Sequence, residues 1–246
     1  FKFVVSEDLR GQTAEEKMAT GRLPPQEACR LVVQAALGLA QLHQSGRVHG
    51  DVRPGNFWVE PAQNHPGHFK LLRDPLYIPQ PLPVGSADTH GKLALLADYL
   101  APEFLQPGKL PDPLTDIYAL GCTFYCLLAG SPPFAGGTTE QKLSRHASEP
   151  IRPLEQFGVP QPIAQLVAYL MAKNPTVRYQ QAAIVAEQLA QFVDPQVLYL
   201  PPANPLPTVA AYDAWIKQKQ AVLAAKAAVP TPPAAPAVGV AMGVAV

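Results

Sequence analysis

Residues 115–130, TDIYALGCTFYCLLAG, place apolar side chains around nearly the whole circumference of a helix. A helix without a polar face must be enclosed by other elements. This one is also too short to cross a bilayer, which takes about 20 apolar residues. The chain is therefore expected to fold around one buried helix. Thr115 stands where it can cap that helix, Asp116 where it meets the positive end of the dipole, and Gly130 where it ends the last turn. Material for the wrapping is ample, since 48% of the 246 residues are hydrophobic. The 19 basic and 19 acidic side chains cancel, which excludes a dominant nucleic-acid or acidic-membrane footprint.

The wrapping is mostly helical. Pro24-Pro25 opens a helix at its favoured position, and over 27–44 the set Ala28, Leu31, Val32, Ala35, Ala36, Leu39 and Leu42 recurs every three or four residues as one buried stripe. Further helices are predicted over 138–149, 162–173 and 181–192, and a short one over 13–18 with Thr13 as its cap. Strands are few: 2–5, then 57–59 and 69–72 joined as a hairpin by the polar turn 63–67. Three cysteines make no disulfide framework and no paired metal spacing. Cys122 and Cys126, four apart in the apolar run, read as small buried side chains, and reduced thiols suit a cytoplasmic compartment.

One polar stretch interrupts this pattern. Residues 47–59, RVHGDVRPGNFWV, put Asp51 and Asn56 in a Pro/Gly loop that enters an apolar strand. Taken alone, such a pair is an ordinary turn between a helix and a hairpin. It is also the pair that phosphoryl transfer needs, a carboxylate at the incoming hydroxyl and an amide oxygen on magnesium. The flanking sequence decides between the two.

The stretch resembles the protein-kinase catalytic loop, H-R-D-x-K-x-x-N, through His49, Gly50, Asp51, Arg53 and Asn56. The remaining signatures of that family follow in order: Tyr99, Ala101, Pro102 and Glu103 as Y-x-A-P-E, the buried helix with Asp116, Gly130 with Pro133-Phe134 as G-x-x-P-F, and Asn174-Pro175 with Arg178 as N-P-x-x-R. The loop is also similar to the H-G-D-x-x-x-x-N of aminoglycoside and choline kinases, which would make the chain a small-molecule phosphotransferase, but those enzymes lack A-P-E and the P-P-F ending.

The resemblance implies an α+β, mainly α fold: residues 1–193 as the hinge and helical large lobe of a bacterial-type Ser/Thr kinase with short β-hairpins, and most of the small lobe missing. Residues 194–229 would be a Pro-rich strap and helix, and 230–246 an Ala/Pro linker. The last ten residues are apolar, either the start of a membrane span continuing beyond residue 246 or a low-complexity tail. Phe1 as first residue suggests a segment of a longer protein, cytoplasmic or the cytoplasmic part of a membrane-anchored one.

In the family pattern Asp51, Arg53 and Asn56 are catalytic, the backbones of Glu7 and Leu9 and the side chain of Trp58 face adenine, and ATP and Mg2+ are bound. His49 and Asp116 brace the loop, and Glu103 pairs with Arg178. The second magnesium ligand should stand at position 73, where this chain has Arg73, leaving Asp74 as a substitute only if the strand register slips by one. Leu95-Leu96 replaces the usual Gly-Thr and would put aliphatic surface where a hydroxyl meets Asp51, and Gly50 replaces the loop Arg. Ser86 and Thr89 are the hydroxyls of the activation segment. These departures lead to the expectation of a pseudokinase, a binding or regulatory module with a protein partner. An active Ser/Thr kinase with a protein substrate is the alternative.

Overall fold

The structure, a computed structural model, describes residues 9–60, 69–72, 94, 96–106 and 108–194, all within one compact unit, Phe1–Leu200. Its elements in chain order are β1 (Gln12–Thr13), α1 (Ala14–Lys17), α2 (Pro25–Gln44), β2 (Phe57–Val59), β3 (Phe69–Leu71), α3 (Pro113–Ala129), α4 (Thr139–Ser148), α5 (Gln161–Leu170) and α6 (Ala182–Ala190). The predicted strand 2–5, the turn 63–67 and the strap and linker beyond residue 194 lie outside the described residues.

The buried helix is α3. Every residue from Thr115 to Leu128 is buried, and burying each of its leucines stabilises the fold by about 1.5–3 kcal/mol. It begins two residues before the predicted cap. Asp112 is the N-cap, its carboxylate accepting the Thr115 N–H at 3.0 Å while the Asp112 N–H donates to Thr115 Oγ1 at 3.0 Å. Pro113, which has no N–H to satisfy, then takes the first turn, so Thr115 serves as the reciprocal member of a capping box rather than as the cap. Gly130 closes the helix in the left-handed region (φ +83°), its N–H reaching Cys126 O at 2.8 Å. At Gly121 a Cβ would lie 2.7 Å from Leu170 Cβ, so the missing side chain lets α5 approach α3 closely.

Helix α2 packs against both α3 and α6. Its buried face is wider than the predicted stripe, running unbroken from Ala28 to Ala36, because two neighbours cover it rather than one. Thr13 caps α1 as predicted, in a capping box with Glu16. Thr138 and Gln141 repeat the device at α4.

The three strands form one antiparallel sheet, ordered β1-β2-β3. The predicted hairpin is β2 with β3, in the register Phe57↔Leu71, Trp58↔Lys70 and Val59↔Phe69. The Phe57 and Phe69 rings meet edge-to-face at 5.1 Å. Strand β1 adds Thr13 opposite Trp58. No apolar alternation announces so short a strand. It pairs because Gly11, at φ +139°, brings its backbone against Val59 O, where a Cβ would collide.

Candidate active site

Asp116, in the first turn of α3, is the post on which the loop between α2 and β2 is mounted. Its side chain is 1% exposed. Oδ2 accepts the His49 N–H at 2.7 Å, and Oδ1 accepts the Gly50 N–H at 2.7 Å. His43 Nε2, from the last turn of α2, is 2.8 Å from Oδ2. A buried carboxylate with three donors is satisfied, and it holds two successive backbone amides in one orientation. Gly50 sits at φ +75°, where a residue without Cβ is at least cost.

From there the loop ties itself to its neighbours. His49 Nδ1 receives the Asp51 N–H at 3.2 Å, so Nε2 carries the proton and donates to Leu72 O at 2.9 Å. Leu72 in turn donates its N–H to Asn56 O at 2.8 Å. On the other side, Thr123 Oγ1 of α3 donates to Val52 O at 3.2 Å. The loop is thus held by α2, α3 and the end of β3 together.

This brings Asp51, Arg53 and Asn56 into one group. Asp51 is 7% exposed, and its Oδ1 accepts Arg53 Nε at 2.9 Å. Asn56, at the end of the 3₁₀ turn Pro54–Asn56, donates Nδ2 to Asp51 O at 2.6 Å. An amide whose N–H₂ is used in this way keeps its oxygen as the remaining ligand. That oxygen and the Asp51 carboxylate are what the described residues offer a divalent cation. No group of three or more His, Cys, Asp or Glu able to hold a metal occurs among them. Magnesium bound with nucleotide takes only one or two protein carboxylates beside phosphate oxygens and waters, so the residues present fit one edge of such a site. Arg73 and Asp74 lie outside the described residues, as do Glu7, Ser86, Thr89 and Leu95.

The other named residues have definite places. Trp58 is half-buried in β2, its indole N–H reaching Arg10 O at 3.3 Å, and Leu9 is partly buried just before Arg10. Leu96 does not form aliphatic surface. It is 7% exposed, its carbonyl accepting the Tyr99 N–H at 2.8 Å, because the chain turns here and folds the side chain inward. Glu103 and Arg178 form a buried bidentate pair at 2.7 and 2.8 Å. The same guanidinium donates to Ala172 O and Leu114 O and lies over the Tyr118 ring at 4.7 Å.

Sequence reasoning treated His43 as a packed or capping side chain, and its contact with Asp116 has no local signal because 73 residues separate the two. Thr123 and the Asp98–Lys142 ion pair at 2.7 Å were equally silent.

The sequence profile of the protein kinase domain matches residues 2–190. The chain belongs to the protein kinase family. This kinase domain is 35% identical over 185 residues to the serine/threonine-protein kinase PkaB of Streptomyces coelicolor, covering 73% of this chain and 42% of that protein. It is 32% identical over 188 residues to the serine/threonine-protein kinase PknB of Mycobacterium leprae, covering 74% of this chain and 29% of the relative. The chain thus spans less than half the length of these curated relatives. Among solved structures, the Mycobacterium tuberculosis PknI kinase domain superposes with a TM-score of 0.55 at 24% identity, covering 76% of this chain and 64% of that one. Rad53 1–466 in complex with AMP-PNP gives 0.57 at 23%, covering 74% and 44%. These two show the fold. The sequence matches make it a bacterial-type Ser/Thr protein kinase domain, mainly helical with a small sheet.

Proposed function

We propose that this kinase domain transfers the γ-phosphoryl group of ATP to serine or threonine hydroxyls of a protein substrate. The observation that carries the reading is the group Asp51–Arg53–Asn56, held on Asp116 from beneath. Asp51 accepts the proton of the acceptor hydroxyl as its oxygen bonds to the γ-phosphorus and the β–γ bridge breaks to release ADP. Arg53 keeps the carboxylate oriented and sets a cation beside the transferred group, in the role the family gives to Lys, with a planar fork rather than a point charge. Asn56 offers its amide oxygen to magnesium, which when bound neutralises charge on the phosphates. The names of the relatives support the same reading.

A second reading is a kinase-shaped regulatory module, and Leu96 favours it. Where the family uses a threonine hydroxyl on the catalytic Asp, this chain has a buried aliphatic side chain, and the sequence places a guanidinium, Arg73, at the expected metal carboxylate. Each such loss removes a few kcal/mol of transition-state stabilisation, about a hundredfold in rate. The readings separate in one assay, transfer of labelled γ-phosphate from ATP by the full-length protein and by Asp51→Asn. The first predicts transfer that falls by about 10²–10⁴-fold in the variant. A background unaffected by Asp51→Asn selects the second.

Partners on either reading are proteins. The domain's balanced charge offers no footprint for nucleic acid. Among the described residues no helix is long and apolar enough to cross a membrane, and the apolar segment 237–246 lies outside them.

A further inference from the structure

Beside Arg53, Pro54 and Gly55 the fold encloses a cavity of about 370 Å³, within the range of small-ligand sites, about 300–1,000 Å³. It is continuous with the Asp51 loop, so whatever occupies it belongs to the molecule whose hydroxyl stands at Asp51. Met18, Ala19 and Pro132 give it an apolar wall. Its charged lining is Glu15, Asp98 and Arg53.

The balance among these three is negative. Arg53, the one cation of the lining, is committed to Asp51 at 2.9 Å. Asp98 gives Oδ2 to Lys142 at 2.7 Å, while its Oδ1 is buried with no hydrogen-bond partner. Glu15 is exposed on α1, and its Oε2 lies over Gly55: a Cβ there would be 2.6 Å from Glu15 Oε2 and 2.6 Å from Arg53 Nη1. The two groups lining the cavity from below register both carboxylates. Burial chiefly, opposed by the Tyr99 hydrogen bond and reinforced by Asp98 and Glu15, pushes the Cys126 thiol up to about 12. Burial, then Cys126, Asp98 and Glu15, raises the Tyr99 phenol. No cation offsets either group.

We propose that this cavity is the subsite for an arginine side chain of the acceptor protein. Arginine matches both parts of the site. Its methylene stem lies along apolar surface while its head stays polar, and its planar fork can donate to Glu15 and to the unpaired oxygen of Asp98 at once. Gly55 leaves the passage open, since any side chain there would meet Glu15 and Arg53. The inference rests on the protein-substrate reading above, and it assigns that substrate a basic residue near the accepting hydroxyl.

The test is binding, read without transfer. Fluorescent serine peptides carrying arginine, or the uncharged isostere citrulline, are titrated with the full-length protein and followed by anisotropy. The arginine peptides should bind about tenfold tighter, the worth of one partly screened charge-assisted contact. Glu15→Gln should remove most of that preference, and Glu15→Lys should turn it towards peptides with glutamate at the same place. Asp98→Asn should weaken it too, and if Lys142, left unpaired, destabilises that variant, the exposed Glu15 variants decide alone. Equal binding of the two peptides, or a preference that survives Glu15→Gln, overturns the subsite. Arginine preference without phosphate transfer keeps the subsite and rejects the transferase reading. Transfer without the preference does the reverse.

Discussion

Two buried carboxylates organise this domain, and they work differently. Asp116 is satisfied by two backbone N–H groups of one short loop and by His43. Glu103 is satisfied by both arms of the Arg178 guanidinium, which also gathers carbonyls from the segment after α5 and from the start of α3. The first bonds orient a piece of backbone that carries reactive side chains. The second ties three distant segments together. Disturbing Glu103 or Arg178 should cost stability, whereas disturbing Asp116 should cost activity out of proportion to stability.

The largest effect belongs to the ion pair. Arg178→Ala leaves Glu103 charged, buried and alone, and should destabilise the domain by about 3–5 kcal/mol, read from denaturant midpoints. If Asp51-loop chemistry fell equally in the fraction that remains folded, the division of labour between the two carboxylates would be lost. Asp116→Asn is the complementary change. It keeps one acceptor oxygen but turns an N–H₂ towards a loop N–H, so stability should fall by only about 1–3 kcal/mol while the transfer rate falls about hundredfold. An unchanged rate would show that the loop holds its shape without this post.

A pH dependence sharpens the contrast, because it belongs to the Arg178 side alone. His146 is buried, its Nδ1 2.9 Å from the Tyr118 hydroxyl, with Phe134 edge-on at 4.8 Å. Burial first, then the charge of Lys173, lowers its pKa from 6.5 to about 3. The unfolded chain therefore binds a proton that the folded one refuses. Stability is fully present above about pH 6.5 and is lost as pH falls below it, at up to about 1.4 kcal/mol per unit. His146→Gln should flatten that slope in acid melts, and a slope that persists would assign it to other groups. The smallest effect is expected at Thr123→Val, which removes one hydrogen bond to Val52 O, about 1 kcal/mol, with a lesser loss of rate than Asp116→Asn.

The same division explains what could be read from the amino-acid string. The α3 helix announced itself because sixteen residues without a polar face allow only burial. The α2, α4, α5 and α6 helices followed from periodicity and from Pro and Thr at their starts. The loop residues Asp51, Arg53 and Asn56 were legible because their mutual geometry is local, set within six positions by Pro54 and a 3₁₀ turn. Contacts across long separations were not legible in the same way. Nothing near His43 points to Asp116, nothing near Lys142 points to Asp98, and Glu15 gives no sign that it overhangs Gly55. Leu96 misled because an aliphatic pair in a polar segment reads as surface until the turn at 96–99 folds it inward.

The claim on which the rest depends is that Asn56 and Asp51 are held in the arrangement that receives a metal-bound nucleotide. Thermal unfolding of the full-length protein, titrated with ATP in magnesium and then in chelator, tests it most directly, since a ligand that binds the folded state raises the melting temperature. The account predicts a concentration-dependent rise that requires magnesium and is lost in Asn56→Ala. A rise of the same size in chelator, or none in either condition, contradicts it.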